Sequence, residues 1–336
     1  MQSMIEDLLN PASLPDRTKT VKLVQTHISL VFVADDFVYK IKKPVDFGFL
    51  DFSTLEKRRY FCQQEVVLNQ RLTEGVYLGV EPIVYDGTNY RIGQGGGEIV
   101  EYAVRMKRIP DDRLMKSIYD RGKLTTDHLK DIARVIARFH GKAEQSPEID
   151  HFGELDVFRF TTDENFEQTR KYVGVTIDRK DYEALLQWTD RFFRENHDLF
   201  ERRIDDQKIR DCHGDLHMEH ICLTDPISIF DCIEFNDRLR YTDTLADIGF
   251  LLMDLEYRGG KRFSKQLWGF YAALTDDTDM ASLLSFYKVY RAYVRGKVIS
   301  FQLDDSGIRD EEKAKAVHSA KAYFNLARSY IEQKKR

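Results

Sequence analysis

The 336 residues predict an α+β chain of two lobes: a small, strand-rich N-terminal lobe over residues 1–106 and a mainly helical C-terminal lobe over 113–336, with a hinge at 107–112. Three observations carry this expectation. The first hundred residues hold alternating runs of β-branched and aromatic side chains, which read as antiparallel hairpins. Most of the remainder holds apolar stripes at helical spacing. Between them, RMKRIPDDRLM switches the pattern, and Pro110 favours extended backbone just before it.

Composition supports an ordered core. Hydrophobic residues make up 42% and charged residues 32% of the chain, which is ordinary globular usage. A formal net charge of −5 gives no general attraction to nucleic acid or acidic membranes. Cys62, Cys212, Cys222 and Cys232 are too few for a disulfide framework. The start, MQSMIEDLLNPASLPD, is acidic and lacks the basic-then-apolar order of a signal peptide. No apolar run approaches the roughly 18 residues of a membrane span. A cytoplasmic protein without membrane or nucleic-acid partners is expected.

The elements follow in order. VKLVQTHISLVFVADDFVYKIKK gives hairpin strands, with turns at Thr26–Ser29 and Asp35–Asp36. A helix follows, capped by Ser53 or Thr54, with Leu55, Phe61, Val66, Leu68 and Leu72 as its core stripe. EPIVYDG and EIVEYAVRM are two further strands, separated by NYRIGQGGGE. The glycines there do not make a phosphate loop, because a strand rather than a helix N-terminus follows them. They read as a hairpin tip. LTTDHLKDIARVIARFHG is a helix with Leu129, Ile132, Ala133, Ile136, Phe139 and His140 on one face, Thr126 as N-cap and Gly141 just past its end. His140 reads as a packed helix-end residue. The helical remainder is interrupted by IRDCHGDLHMEHICLTDPISIFDCIEF, where short apolar runs alternate with turns.

That interruption holds the chemistry. Asp215 and Asp231 each follow a short strand-like run, IRDC and ISIF. Two such carboxylates can divide phosphoryl transfer between them: one orients or deprotonates a hydroxyl, the other holds a divalent metal on polyphosphate. Either alone reads as a turn aspartate. In VYKIKK, alternation puts Lys40 and Lys42 on one strand face and Tyr39 and Ile41 on the other. A strand lysine can neutralise phosphate oxygens if a carboxylate holds it, and Glu65 on the following helix is the candidate.

The order strand-Lys40, helix-Glu65, hinge near Met106–Pro110, HGDLHMEH and IFDCIEF resembles the aminoglycoside phosphotransferase and choline kinase-like branch of the protein-kinase-like superfamily. It is similar in particular to bacterial kinases of this group that are sometimes fused to a P-loop ATPase domain. THISLVFVADDFVYKIKKPVDFGFLDFSTLEKRR, EVVLNQRL, FDCIEFNDRLRYTD, LADIGFLLMDLE and YRAYVRGKV extend the likeness over roughly residues 25–300. No G-x-x-x-x-G-K-[ST] occurs in these residues, so no P-loop activity is carried over.

The resemblance implies a two-lobed protein-kinase-like fold and an ATP- and Mg²⁺-dependent small-molecule kinase. It implies that Asp215 is the catalytic aspartate, that Asp231 binds metal, and that Lys40 pairs with ATP phosphates with Glu65 as its partner. Backbone at Met106, Lys107 and Arg108 would meet the adenine. His213 and Asp247 would brace the catalytic loop.

Two departures stand out. The nucleotide-covering turn, QTHIS, has no glycine, which leaves Ser29 or Thr26 to offer hydroxyls. His220 stands where the family has Asn. Imidazole suits Mn²⁺ or Zn²⁺ better than Mg²⁺. His220 thus ligates a different ion, bonds Asp215 without touching metal, or marks a weakened metal site.

Two other classes compete. A nucleotide-binding pseudokinase would account for both departures. A zinc hydrolase would use His213, Asp215, His217, His220, Cys212 and Cys222, but no second ligand cluster of familiar spacing supports it. For the acceptor, Glu234, Asp237, Asp243, Asp254 and Glu256 would suit a cation. Arg291 and Arg295, one helical turn apart, would suit an anion if they face it, and are otherwise a solvated or carboxylate-paired helix face.

Overall fold

The computed structural model describes residues 2–93, 95–305 and 307–333. The chain forms two compact units, Met1–Lys123 with Glu219–Asp237, and Leu124–Met218 with Arg238–Arg336. By packing, the 219–237 segment groups with the sheet although it lies far along the chain.

The first unit is built on a six-stranded antiparallel sheet. Its strands are β1 (Lys22–Gln25), β2 (Ser29–Val33), β3 (Phe37–Lys42), β4 (Tyr77–Tyr85), β5 (Tyr90–Ile92) and β6 (Glu98–Lys107), in the order β1-β2-β3-β6-β4-β5. Alternation decides what each face does. Leu30, Phe32, Tyr39 and Ile41 pack with Met4, Leu8 and Leu14, so the acidic N-terminal segment closes one face. On the other side, Val104 and Tyr77 pack with Cys62 and Val66 of the helix Leu55–Gln70. Lys40 sits between Val31 of β2 and Val104 of β6, centred in the sheet.

Thr54 caps that helix, its hydroxyl accepting from the Lys57 N–H at 3.3 Å. The buried face differs from the expected apolar stripe. It includes Arg58, Cys62, Glu65 and Asn69 besides Val66 and Leu68. Arg58 Nε donates to both carboxylate oxygens of Glu101 on β6, at 2.9 and 2.8 Å. Charge-assisted bonds of this kind are worth about 1.5–3 kcal/mol each. The helix is thus held to the sheet by charge as well as apolar contact.

Three strands occupy the stretch where two were expected, because Tyr90–Ile92 pairs back onto β4. The glycines lie between β5 and β6, with no helix after them. At Gly97 a Cβ would fall 2.5 Å from the Tyr85 carbonyl oxygen, so glycine is required there for close approach.

The second unit is helical. Every residue from Thr244 to Leu255 in the helix Thr244–Tyr257 is buried, as expected of a helix apolar on most sides. Against it pack the helices Lys261–Thr275 and Ala281–Ser300, and the helix Thr126–Lys142 packs on Lys261–Thr275. The helix Thr126–Lys142 begins one residue earlier than expected. Thr125, not Thr126, is its N-cap, because Thr125 and His128 form a reciprocal capping box. It also runs through Gly141, since the Ala143 N–H still reaches the Phe139 carbonyl. Among the described residues, no helix is long and apolar enough to cross a membrane.

The runs before the two aspartates are strands, but they belong to different pairs. Ile209–Asp211 pairs with Tyr241–Asp243, and Ile221–Cys222 pairs with Ser228–Ile229.

Candidate active site

In the first unit a charge cluster gathers on the sheet face that carries Lys40 and Lys42. Lys40 Nζ lies 2.9 Å from Glu65 Oε1 and 2.6 Å from Asp231 Oδ1. Lys42 Nζ lies 2.7 Å from Glu65 Oε2 and also bonds Glu234. The inner part is dry: the side chains of Lys42 and Glu65 are 1% and 0% exposed, against 15% for Lys40 and 41% for Asp231. Burial pulls the Lys40 ammonium down, but Asp231, Glu65 and Glu234 together outweigh it and hold its pKa well above the usual value. Burial pushes the Glu65 carboxyl up, and the two lysines reverse this to a net lowering. Glu234, also buried, is held above its usual value despite Lys42. Their mutual pairing favours the charged forms of Lys40, Lys42 and Glu65.

The loop carrying Asp231 is set by backbone bonds. Asp231 adopts a left-handed backbone with φ 63°, a conformation aspartate tolerates better than most residues. Its N–H donates to the Tyr77 hydroxyl at 3.2 Å, and the Cys232 N–H donates to Asn69 Oδ1 at 2.9 Å. His220 Nε2 stands 3.4 Å from the other carboxylate oxygen of Asp231. One hard oxygen donor beside one imidazole nitrogen is a donor set that fits Mn²⁺ or Mg²⁺ if phosphate and water supply the rest.

The other expected nucleotide contacts are less open. Met106 and Lys107 end β6; the Lys107 N–H donates to the Val76 carbonyl and the Arg108 N–H to the Asp36 carbonyl, each at 2.8 Å. Those two amides are spent within the unit. The glycine-free turn explains itself locally. The Thr26 hydroxyl accepts from the Ile28 and Ser29 N–H groups at 3.3 and 2.9 Å, doing with a side chain what glycine would do with φ. Ser29 itself is buried.

In the second unit the HGD turn is anchored from below. The His213 and Gly214 N–H groups donate to the two oxygens of Asp247, at 3.1 and 2.9 Å. Gly214 has φ 85°, so the turn needs glycine. Arg291 clamps the same turn, donating to the Gly214 and Ala246 carbonyls at 3.0 Å each. The Asp215 N–H donates to His213 Nδ1 at 3.3 Å, and His217 Nε2 is 3.4 Å from Asp215 Oδ2. Met218 N–H donates to Asp254 at 3.1 Å. His140 is buried, with one ring nitrogen on Asp247 at 3.1 Å and the other on the Tyr271 hydroxyl at 2.8 Å. Cys212 and Cys222 are buried as well.

Burial pushes Asp247 up, but the His140 hydrogen bond and charge, with His213 and Arg291, bring it down to about 2. A lowered carboxyl stabilises the fold above the unfolded value near 4, and that stabilisation is lost as pH falls through about 2. The expected result is a urea midpoint that falls between about pH 4 and pH 2. Asp247→Asn, less stable at pH 7, should flatten that slope, by on the order of 2 kcal/mol over the window. Parallel slopes would count against Asp247 as the charged brace.

The charged segment after the second loop is internally compensated. Asp243 pairs with Arg203 at 2.8 Å, Arg240 with Asp211 at 2.6 Å, and Arg238 with Glu164 at 2.7 Å. Glu256 accepts from Lys288, Ser264 and Tyr330 at 2.6, 2.7 and 2.6 Å. Arg291 is buried rather than on a solvated helix face, and it grips backbone. Its neighbour Arg295 feels burial first, yet Asp215, Tyr323 and Asp254 keep it above its usual value. Sequence reasoning missed Lys42, Glu234 and Arg291 as working parts of these clusters. For Lys42 the signal was present, since alternation places it on the Lys40 face.

A strand lysine bridged to a helix glutamate in the first unit, and an anchored HGD turn in the second, are the features from which a protein-kinase-like fold is expected. Solved structures agree on the fold. A choline/ethanolamine kinase family protein from Mesorhizobium loti is similar with a TM-score of 0.53 and 13% identity, over 98% of this chain and 99% of that one. Aminoglycoside 2′-phosphotransferase-IIIa in its GDP complex gives 0.55 and 12%, over 97% and 99%. A Plasmodium vivax ethanolamine kinase gives 0.50 and 11%, over 93% and 82%. At these identities the likeness is one of fold, and that fold is the α+β, two-lobed one.

The chain belongs to the phosphotransferase enzyme family, whose sequence model matches residues 82–284. That stretch includes Asp215, His220, Asp231 and Asp247, and leaves Lys40 and Glu65 outside. Uncharacterized protein Rv2004c of Mycobacterium tuberculosis and uncharacterized protein Mb2027c of Mycobacterium bovis are each 35% identical over 275 residues, 82% of this chain. The match covers 53% of each relative, so the chain spans about half the length of the curated relatives it matches.

Proposed function

We propose that this protein is a small-molecule kinase, moving the γ-phosphoryl group of ATP to a hydroxyl of its acceptor. The observation that carries the reading is Lys40, set 2.9 Å from the helix carboxylate Glu65 and 2.6 Å from the loop carboxylate Asp231. An ammonium so placed can trade a carboxylate for a phosphate oxygen. Asp231 and His220 would hold the divalent metal, which supplies charge neutralisation on the phosphates when bound. Met106, Lys107 and Arg108 remain the proposed adenine segment.

Asp215 performs the chemistry at the acceptor. Its carboxylate accepts the hydroxyl hydrogen and orients the oxygen for in-line attack. The new O–P bond forms as the bond between the γ-phosphorus and the β,γ-bridging oxygen breaks, leaving ADP, and the hydroxyl proton passes to Asp215. The backbone anchors from Asp247 and Arg291 keep that carboxylate aimed without using its oxygens.

A nucleotide-binding pseudokinase is the second reading, favoured by His220 in place of Asn and by the ion pair that occupies Lys40. The test is a metabolite library assayed for nucleotide consumption with Mg²⁺ and with Mn²⁺. Because one structural relative is a GDP complex, GTP is run beside ATP. Turnover on any hydroxyl compound supports the kinase. Thermal stabilisation by ATP without turnover on any acceptor supports the pseudokinase.

The His220 position yields its own expectation. Asn would offer a hard carbonyl oxygen next to Asp231, so His220→Asn should raise the Mg²⁺-dependent rate relative to the Mn²⁺-dependent rate. An unchanged ratio would remove His220 from the metal's ligands.

A further inference from the structure

We propose that Lys42 is a positioning residue for nucleotide phosphate, a fixed counter-ion that releases Lys40 to bind it; the inference rests on the kinase reading above. Three carboxylates and two ammoniums make up the cluster. Glu65 is the shared member, with Lys40 on Oε1 and Lys42 on Oε2. If Lys40 were the only cation there, its departure would leave a fully buried carboxylate uncompensated. Breaking a buried pair in that way carries a penalty large enough to pin the lysine in place. Lys42 removes the penalty. It stays on Glu65 whether or not Lys40 does.

The geometry separates a fixed cation from a movable one. Lys42 is enclosed: Glu65 and Glu234 bind its ammonium, and the Phe52 ring lies 4.8 Å away. Its Cα partner on β2 is the buried Ser29. Lys40 is the outer of the two, and its second partner is the half-exposed Asp231. Glu234 adds a further link. It lies three residues after Asp231, so its bond to Lys42 ties the loop bearing Asp231 to the same strand that bears Lys40. Lys42 thereby fixes Glu65 and the 231–234 loop together, while Lys40 is left to exchange partners.

The test uses Lys42→Met/Glu234→Met, which replaces a buried pair by apolar chains and so need not destabilise the fold. ATP, ADP and adenosine are titrated against wild type and variant. With Lys42 absent, Lys40 becomes the only counter-ion of Glu65, so affinity should fall with phosphate count. ATP should weaken by about tenfold or more, ADP by less, and adenosine by under about twofold, as expected of one lost charge interaction near phosphate. Lys42→Gln/Glu234→Gln, which retains hydrogen-bonding groups at both positions, carries the same expectation if the first variant does not fold. An equal loss for all three ligands would make Lys42 merely structural and overturn the inference. So would unchanged ATP affinity. Wild-type protein that binds none of the three overturns the kinase reading, and this inference with it.

Discussion

On the proposed kinase reading, Asp215→Ala should all but abolish phosphoryl transfer and leave both the fold and nucleotide affinity in place. The expected loss in turnover is about 10²–10⁴-fold, the usual contribution of a positioned general base. The turn itself should hold, although the Asp215 charge also offsets the burial of Arg295, so some stability is lost with it. The reason is the way the turn is held. Asp247 accepts the His213 and Gly214 amides, and Arg291 donates to the Gly214 carbonyl. Those bonds use the turn's backbone, not the Asp215 carboxylate. The side chain is about a third exposed, and His217, its 3.4 Å neighbour, keeps its packing against Phe250. Turnover on the acceptor found by the metabolite screen, read beside ATP titration and a thermal melt, checks the prediction. Unchanged turnover removes Asp215 from the mechanism; a large drop in melting temperature would show that the turn, or the buried Arg295, depends on its carboxylate.

Much of this was legible in the amino-acid order, and the parts that were not share a cause. Alternation in VYKIKK put Tyr39 and Ile41 against Lys40 and Lys42, and the two pairs do face opposite ways: the first into the core under the N-terminal helix, the second toward Glu65. The helix Leu55–Gln70 is legible with Ser53 or Thr54 as its cap, of which Thr54 is the one used, yet its inner face reads as an apolar stripe. In fact Arg58, Glu65 and Asn69 occupy that face, each satisfied by a partner far away in sequence or by a local backbone group. Periodicity detects apolar faces and is blind to polar ones that long-range partners make buriable. Arg291 shows the same limit. Its spacing from Arg295 suggested a charged helix face, but its function in the fold comes from the carbonyls of Gly214 and Ala246, which no local pattern reveals. Turns were misread more modestly: one residue at the Thr125 cap, and a helix that continues through Gly141.

Asp231→Ala should abolish the dependence of nucleotide affinity on divalent metal, with a second effect of opposite sign. In wild type, Asp231 occupies the Lys40 ammonium at 2.6 Å, and on the proposed reading it also offers an oxygen to metal. Removing it deletes the metal's hard oxygen ligand and frees Lys40 from a competing carboxylate in one step. ATP measured with Mg²⁺ should therefore bind more weakly than in wild type, while ATP measured with a chelator present should bind as tightly or more tightly. A general disruption of the loop would weaken both. The backbone needs its own control, because φ is 63° at this position and alanine is strained there by roughly 1 kcal/mol. Asp231→Asn retains tolerance for the left-handed region while removing the charge, and it should reproduce the loss of the metal effect. Lys40 would keep Glu65 in either variant, and Lys42 would keep Glu65 and Glu234, so the buried part of the cluster stays charge-compensated. If either variant binds ATP with Mg²⁺ as tightly as wild type, Asp231 is not the metal ligand, and its bond to Lys40 is a structural pair within the first unit.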